Sequence, residues 1–551
     1  DRDTMPDHKD VVAFAEDVMA HMPEHDTLKE VPASRVALLA PNGPFWAAVD
    51  LAALRLGLVV VPLYPDQSDA DVRYILEDSA PALVCAQGRP VAGKLTRVLE
   101  DIPSAPPTAV HGAGDTPGPP LHVWDWLLAY GEGMDEETVA RRAEAVNRSH
   151  LATLVYTSGT TGWPKGVELT HGNLLANLEG ILATLTVRSG DRFLSFLPLA
   201  HIFERTAGHL LPYLCGAEVA YARGPRTVPT DLPAAAPTVL LGVPRLFQLF
   251  HDRIEGRRRH SRLTDRLLRW ATAGDEPRWR AAVARWLLSH RLRKGMGGRI
   301  RLLVSGGAPL VPEVAHFFAS AGLPVLEGYG QTETAPVVSV NPPEANRPGT
   351  VGRPLPNVEV RMAGDGEILV RGGNVMRGYW NQPEATAVVL DGDWLRTGDI
   401  GHFDPEGYLT ITDRKKDLLV SSAGKNIAPQ RIELRLAAQP PIEQAVVFGD
   451  RQPYLAALIV PDWEVLRTEL GRERPPDPED PEAHEHMRRA MRSALADLPH
   501  WEQVRRFRLL ADPFSQETGE LTPTLKIKRR VVAERYADDL AALFEGGIEG
   551  D

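Results

Sequence analysis

Short apolar runs separated by helix-length stretches dominate the first hundred residues and leave few folds open to this chain. Val36-Ala37-Leu38-Leu39-Ala40 reads as a buried strand, followed by the turn Pro41-Asn42-Gly43-Pro44 and a helical stretch reaching Leu56. Residues 59–63 repeat the pattern as a second strand and residues 82–86 as a third. Strands that are apolar throughout need helices on both faces, and a strand–helix–strand alternation brings the chain back in parallel. The expected class is α/β with mainly parallel sheets. At 551 residues the chain is too long for one core, so several packed units are expected. Residues 103–120 hold six prolines and read as an irregular surface excursion.

Past about residue 350 the texture changes. Residues 357–368 and 394–411 show short strands with Gly/Asp turns, among them Asp391-Gly392-Asp393 and Asp404-Pro405-Glu406-Gly407. A small antiparallel β-rich subdomain is expected there, ended by the charge run Asp413-Arg414-Lys415-Lys416-Asp417. Residues 251–301 are arginine-rich, and within them Trp279, Ala282, Val283, Trp286 and Leu287 share one helical face. The ordinary reading is a helical hairpin whose apolar side joins the core. The other is a basic amphipathic surface that rests on an anionic membrane.

The densest chemistry lies at Tyr156-Thr157-Ser158-Gly159-Thr160-Thr161-Gly162-Trp163-Pro164-Lys165-Gly166, directly after the apolar run 151–155. Glycines let successive backbone N–H groups converge, and an oligophosphate is the usual occupant of such a nest. Thr157, Ser158, Thr160 and Thr161 add hydroxyls and Lys165 a point charge. The order differs from a P-loop, in which four residues separate the glycines and Lys directly follows the second. Here two residues separate Gly159 from Gly162, and Lys165 comes three later.

This stretch resembles the phosphate-loop signature of the adenylate-forming superfamily, which takes in acyl-CoA synthetases, peptide-synthetase adenylation domains and luciferases. Five further segments match that superfamily in the right order. The resemblance implies that Gly306, Gly307 and Ala308, in Ser305-Gly306-Gly307-Ala308-Pro309, line an adenine. In Glu327-Gly328-Tyr329-Gly330-Gln331-Thr332-Glu333 it implies Tyr329 stacked on the base between Gly328 and Gly330. Thr332 is implied at the α-phosphate, and Glu333, with Thr161, at Mg²⁺. Asp399, in Arg396-Thr397-Gly398-Asp399-Ile400-Gly401, and Arg414 are implied at the ribose hydroxyls, and Lys416 as a hinge. Lys526, in Leu521-Thr522-Pro523-Thr524-Leu525-Lys526, is implied as the catalytic lysine, with Lys528 as its competitor. Leu525 stands where many members have Gly.

Two segments resemble the long-chain fatty acid–CoA ligase branch in particular. In Leu197-Pro198-Leu199-Ala200-His201-Ile202-Phe203-Glu204-Arg205, His201 is implied where an acyl tunnel meets the nucleotide pocket. In Ser422-Ala423-Gly424-Lys425-Asn426, Gly424 and Lys425 are implied at the pantetheine of CoA. The resemblance therefore implies ATP, Mg²⁺ and CoA, and a fatty acid joined first to AMP and then to CoA. The rivals are a fatty acyl-AMP ligase that loads a carrier protein and a non-catalytic sensor of nucleotide or acyl-AMP. It also implies a large N-terminal domain over residues 1–415, with two mixed, mainly parallel α/β sheets and a small β-barrel-like subdomain at about 340–412. A small, mobile α+β C-terminal domain over 416–551 follows. More chain ahead of the strand at 36–40 is usual in that superfamily.

The formal charge of −12 disfavours nucleic acid as a partner. Cys85 and Cys215 lack metal-type spacing and fit a reducing, cytoplasmic setting. The apolar stretch 49–65 is interrupted by Asp50 and Arg55, which argues against a membrane span, and the acidic start lacks the form of a signal peptide. Both a monomer and a homodimer are compatible with the sequence.

Overall fold

The structure is a computed structural model that describes residues 34–114, 121–131, 136–157, 163–224, 227–260, 266–267, 269–270, 278–422, 425–515, 518–521 and 527–545. Two compact units are present. The larger holds most of the chain up to residue 395; the smaller takes residues 309–316, 361–369 and 396 onward.

In the larger unit the first sheet is built from β1 (Arg35–Leu39), β2 (Val59–Leu63), β3 (Leu83–Gln87), β4 (Thr108–His111), β5 (Leu121–Val123), β6 (Leu151–Thr157) and β7 (Lys165–Thr170). They run β7-β6-β2-β1-β3-β4-β5, with Gly378–Tyr379 added beyond β7. All neighbours from β6 to β5 are parallel, whereas β7 is antiparallel to β6. The alternation along β1 shows why an unbroken apolar run was needed. Val36 and Leu38 enter a core with Trp46 and Val49, while Ala37 and Leu39 enter a second core with Ile75 and Leu95 on the opposite face.

The second sheet comprises β8 (Arg192–Ser195), β9 (Glu218–Tyr221), β10 (Val239–Gly242), β11 (Leu302–Ser305), β12 (Val325–Gly330) and β13 (Val337–Val340). Its order is β13-β12-β11-β10-β8-β9, with Arg353–Pro354 beside β13. It is parallel from β12 to β9 and antiparallel at β13. Thus the phosphate-type loop leaves the C-terminal end of β6. The glycine pair at 306–307 leaves that of β11, and Tyr329 lies near that of β12. The C-terminal ends of strands are where open parallel sheets place ligands.

Two expectations need correction. The proline-rich stretch 103–120 is not wholly irregular, because Thr108–His111 is the strand β4, paired with β3 and β5. Its prolines fall outside the strand, and the apolar Ala109 and Val110 are buried. In helix Arg278–Gly295 the core-facing side is Ala284, Leu288 and Leu292, continued by Met296. The face read as apolar core points outward instead: Trp279 is 64%, Val283 44% and Trp286 66% exposed.

A buried ion pair and its hydrogen bonds tie four elements of the larger unit together. Asp50 sits in helix Pro44–Arg55, and its carboxylate receives Arg205 Nε at 3.1 Å and Nη2 at 2.5 Å. Arg205 Nη1 donates to Thr153 Oγ1 on β6 (2.6 Å), and that hydroxyl donates to Val60 O on β2 (2.6 Å). His209 Nε2 lies 3.5 Å from Asp50 Oδ2, the oxygen that also receives Arg205 Nε. Burial pushes the Asp50 carboxyl up, but Arg205 and His209 outweigh it and hold the pKa below the usual value. Arg205 and His209 belong to the π-helix Glu204–Leu210, a wider turn than an α-helix.

The smaller unit is α+β. Ile442–Phe448 and Leu455–Pro461 pair antiparallel, and Val504–Leu509 joins in parallel. Helices Pro429–Ala437 and Pro481–Leu495 cover one face through Ile432, Leu436, Met487 and Met491. Arg529 forks onto Glu433 (2.7 and 3.1 Å), fixing helix Pro429–Ala437 to the segment that carries Arg529. The short strands expected after residue 350 are present as Val358–Met362, Glu367–Gly372, Trp394–Phe403 and Leu409–Arg414, the last two paired antiparallel.

Asp50→Ala should destabilise the protein by about 3–5 kcal/mol, because it strands a buried guanidinium without its counter-charge. Asp50→Leu combined with Arg205→Met should recover much of that loss. Urea unfolding at neutral pH measures both; equal stability of Asp50→Ala and the wild type would refute the account.

Candidate functional site

The strand β6 ends at Thr157 and β7 begins at Lys165, and the two are register partners, so the loop closes a hairpin at the sheet end. Its middle residues, Ser158, Gly159, Thr160, Thr161 and Gly162, lie outside the described residues. At the loop's exit Lys165 Nζ stands 4.8 Å over the ring of Tyr379. The Tyr379 hydroxyl donates to Glu333 Oε1 at 2.8 Å. One aromatic ring therefore links the loop lysine to the carboxylate of the 327–333 segment. Burial and the adjacent carboxylate push the Tyr379 phenol well above its usual range, which favours its protonated, donating form. Trp163 is exposed and stacks on Tyr74 (4.8 Å, 18°).

The 327–333 segment turns sharply. Pairing of β12 with β13 is irregular between Tyr329 and Gly330. A Cβ at Gly330 would lie 2.0 Å from the Pro336 carbonyl oxygen, so no other residue fits there without moving the backbone. Thr332–Thr334 forms a short 3₁₀ turn, held by the buried Thr334 hydroxyl on Gln331 O (3.0 Å). Asn177 Nδ2 donates to Val337 O (2.7 Å) and Asn374 Nδ2 to Thr334 O (3.0 Å). This frame leaves the side chains of Tyr329, Thr332 and Glu333 half-buried.

Gly306 is buried, whereas Gly307 and Ala308 are exposed. A Cβ at Gly306 would meet the Phe203 ring at 3.0–3.3 Å, so ring and backbone lie in direct contact. Gly307 takes φ +84°, the left-handed region. His201, two residues before Phe203, is half-buried, and its Nδ1 accepts from Phe203 N (3.2 Å), which leaves Nε2 as the protonated nitrogen of the neutral ring. Glu204 follows with its carboxyl fully buried against Gly208, and neither oxygen has a well-formed hydrogen bond. Burial raises its pKa to about 8, and the Ser195 hydroxyl nearby works in the opposite direction without cancelling it.

In the smaller unit Asp399 and Arg414 are cross-strand partners, with Nε 3.1 Å from Oδ1. Asp399 is buried and its N–H donates to Thr397 Oγ1 (3.1 Å), while Thr397 Oγ1 donates to Ile368 O (2.7 Å). Lys415 is pinned to Asp365 (2.6 Å) and Glu367 (3.0 Å), but Lys416 beside it is exposed, in a turn. Lys425 begins the return of a short hairpin and stands 5.5 Å over Trp501. Gly424 and Lys526 lie outside the described residues.

The geometry thus groups Lys165 with Glu333, Gly306 with the His201 segment, and Asp399 with Arg414. Sequence reasoning missed Tyr379, whose Gly-Tyr-Trp context looks like a plain strand end. It also missed Asp50, read as a mere break in an apolar run. Among the described residues no group of three or more His, Cys, Asp or Glu could hold a metal ion by itself. Glu333 can offer one oxygen to Mg²⁺, an ion that usually takes one or two protein carboxylates and completes its shell with phosphate and water.

Since Glu204 is neutral in the fold up to about pH 8 but ionises near 4.5 when unfolded, the native state loses stability as pH rises between those values. Glu204→Gln should therefore gain on the wild type by roughly a few kcal/mol between pH 5 and pH 8.5. Urea midpoints across that range test this; a constant gap between the two proteins would sink it.

Residues 28–380 match the family model described as AMP-binding enzyme, and residues 416–547 match the AMP-binding enzyme C-terminal domain. A short match to a wyosine base formation model covers residues 1–41 and contains none of the site residues. The chain is 36% identical to the long-chain-fatty-acid–CoA ligase FadD15 of Mycobacterium tuberculosis, across 93% of this chain and 88% of that one. It is 32% identical to long-chain-fatty-acid–CoA ligase 6 of Homo sapiens, across 92% and 78%. Its fold is that of the anthranilate CoA ligase AuaEII in complex with anthranoyl-AMP (TM-score 0.74, 20% identity, 97% and 92% covered). ATP-bound MatB from Rhodopseudomonas palustris is similar too (TM-score 0.71, 24% identity, 97% and 93% covered). With both family models matched in order and the branch's relatives aligned along nearly the whole chain, this protein belongs to the AMP-binding enzyme family, in its long-chain fatty acid–CoA ligase branch.

Proposed function

We propose that this protein joins a long-chain fatty acid to AMP at the expense of ATP and then transfers the acyl group to CoA. The observation that carries this reading is the contact of Phe203 with Gly306. It makes the segment resembling the acyl site of long-chain ligases, His201 to Arg205, continuous with the strand end that resembles an adenine site. The names of the relatives point the same way.

In the first half-reaction a carboxylate oxygen attacks the α-phosphorus of ATP, the bond to the β-phosphate bridging oxygen breaks, and pyrophosphate leaves. Such chemistry is governed by positioning and by neutralising phosphate charge. Lys165 and the hydroxyls of Thr157, Ser158, Thr160 and Thr161, with the N–H groups of Gly159 and Gly162, serve the β- and γ-phosphates. Thr332 serves the α-phosphate. Tyr329 stacks on adenine between Gly328 and Gly330, with Gly306, Gly307 and Ala308 on its other side, and Asp399 accepts from the ribose hydroxyls with Arg414 holding its carboxylate. Glu333 and Thr161 would hold Mg²⁺, which supplies charge neutralisation when bound. Tyr379 positions Glu333 by occupying one of its oxygens. Lys526 bridges the carboxylate and the α-phosphate. His201 borders the acyl entrance.

In the second half-reaction the CoA thiolate attacks the acyl carbonyl and AMP leaves, the thiol proton passing to solvent. Gly424 and Lys425 meet the pantetheine arm, and Lys416 is the pivot about which residues 416–551 turn between the two steps, the first 415 staying with the nucleotide. Two unpaired cysteines, Cys85 buried, suit a reducing cytoplasm.

Lys526→Ala should lower acyl-AMP formation by about 100-fold or more while thioester formation from pre-made oleoyl-AMP survives. Equal loss of both half-reactions would remove Lys526 from the adenylation step. Release of oleoyl-CoA by the wild type tests the whole reading; transfer confined to a carrier protein would replace CoA as acceptor.

A further inference from the structure

Helix Arg278–Gly295 has two apolar faces, and its architecture uses one of them. Ala284, Leu288 and Leu292 are buried. Trp279, Val283 and Trp286, spaced at i, i+4 and i+7, form a second row that points to solvent, with the exposed Ala282 between them. The row spans about 10 Å along the helix axis, two turns in length. Exposed tryptophans are costly to leave in water, and two on one helix face mark a surface that meets something apolar.

The charge pattern says what that something is. No acidic residue occurs from 278 to 301, whereas Arg278, Arg280, Arg285, Arg291, Arg293, Lys294, Arg299 and Arg301 do. Across residues 251–301 fifteen Lys/Arg stand against five Asp/Glu, a local charge of +10 in a chain of −12, so the remainder carries −22. Arg285, Arg291 and Lys294 are exposed along the same helix, beside the tryptophan row. Arg280 lies over Trp279 at 5.3 Å, placing a cation at the rim of the apolar row. A second copy seated symmetrically on this face would press these cations against themselves, and an acidic partner protein would leave two tryptophans and a valine without an apolar seat. A bilayer with anionic headgroups satisfies both features at once, since tryptophan prefers the headgroup level and arginine pairs with lipid phosphates.

We propose that helix Arg278–Gly295 is a membrane-docking element that lies flat in the interface of an anionic bilayer, with Trp279, Val283 and Trp286 inserted and Arg285, Arg291 and Lys294 on the headgroups. Docking is peripheral: among the described residues no helix is long and apolar enough to cross a membrane. Docking requires only this face and does not depend on which acid the protein activates.

The test is co-sedimentation of the full chain with phosphatidylcholine vesicles, with and without about one-third phosphatidylglycerol, at about 0.1 M and about 0.5 M salt. The wild type should bind the anionic vesicles, bind pure phosphatidylcholine at least about 10-fold more weakly, and be released by the higher salt. Trp279→Ser combined with Trp286→Ser should weaken partition by about 10-fold or more. Arg285→Gln with Arg291→Gln and Lys294→Gln should lower it by about 100-fold at the lower salt. Both variants change exposed side chains, so acyl-AMP formation from water-soluble octanoate should be unchanged, and that assay reports the catalytic reading separately. Absence of wild-type binding to the anionic vesicles, or equal binding by the tryptophan variant, would overturn the proposal. So would a homodimer in sedimentation velocity that the tryptophan variant abolishes.

Discussion

The larger unit depends on a charge pair that never meets water. Asp50, Arg205 and Thr153 come from a helix, a π-turn and a central strand, and their bonds form one chain that runs on to Val60 O of β2. Such a pair adds little net stability against an apolar substitute, because desolvation consumes most of the attraction. What it adds is uniqueness. A guanidinium at 0% exposure has few places to go, so the residues just before it, His201 to Glu204, are fixed with it. Phe203 can then press on Gly306 in a defined way, and the acyl-type segment and the nucleotide-type strand end become one surface.

Around that anchor the candidate site is made from close backbone approaches rather than from many side-chain contacts. Gly330 passes so near Pro336 that a methyl group would collide with a carbonyl. A Cβ at Gly352 would likewise lie within 2.2 Å of Val340 and Asn341 backbone atoms. The first crossing holds the 331–336 turn, and the amides of Asn374 and Asn177 take the carbonyls of Thr334 and Val337. The side chains of Thr332 and Glu333 can therefore be turned toward a ligand. The single Tyr379 hydroxyl then limits how Glu333 can swing, while the ring of the same residue braces Lys165.

Much of the scaffold was legible in the sequence because buried parallel strands are apolar at every position. Residues 36–40, 59–63 and 82–86 stood out for that reason, and the observed strands differ by a residue or so at their ends. The glycine-rich turns were legible because their residue types are dictated by backbone crossings. Long-range polar partners were not. Asp50 looked like a flaw in an apolar run, since its partner is more than 150 residues away. Tyr379 was silent because its function lies in a hydroxyl aimed at residue 333, which no local spacing encodes. The strand Thr108–His111 hid behind its prolines, which signal an interruption just where the sheet resumes.

Helix Arg278–Gly295 shows how periodicity alone fails to orient an element. Trp279, Val283 and Trp286 satisfy the helical repeat as well as Ala284, Leu288 and Leu292 do, and the first row is the more hydrophobic by bulk. The fold buries the second row. Two tryptophans need a roomy cavity, whereas alanine and leucine fit between tightly packed helices and strands. The arginines settle the matter further: Arg285 and Arg291 flank the tryptophan row and would have been dragged out of water with it. Burying that face would therefore have cost unpaired charge, and leaving it outside costs exposed apolar surface. The second cost is the smaller, and a bilayer of opposite charge removes it.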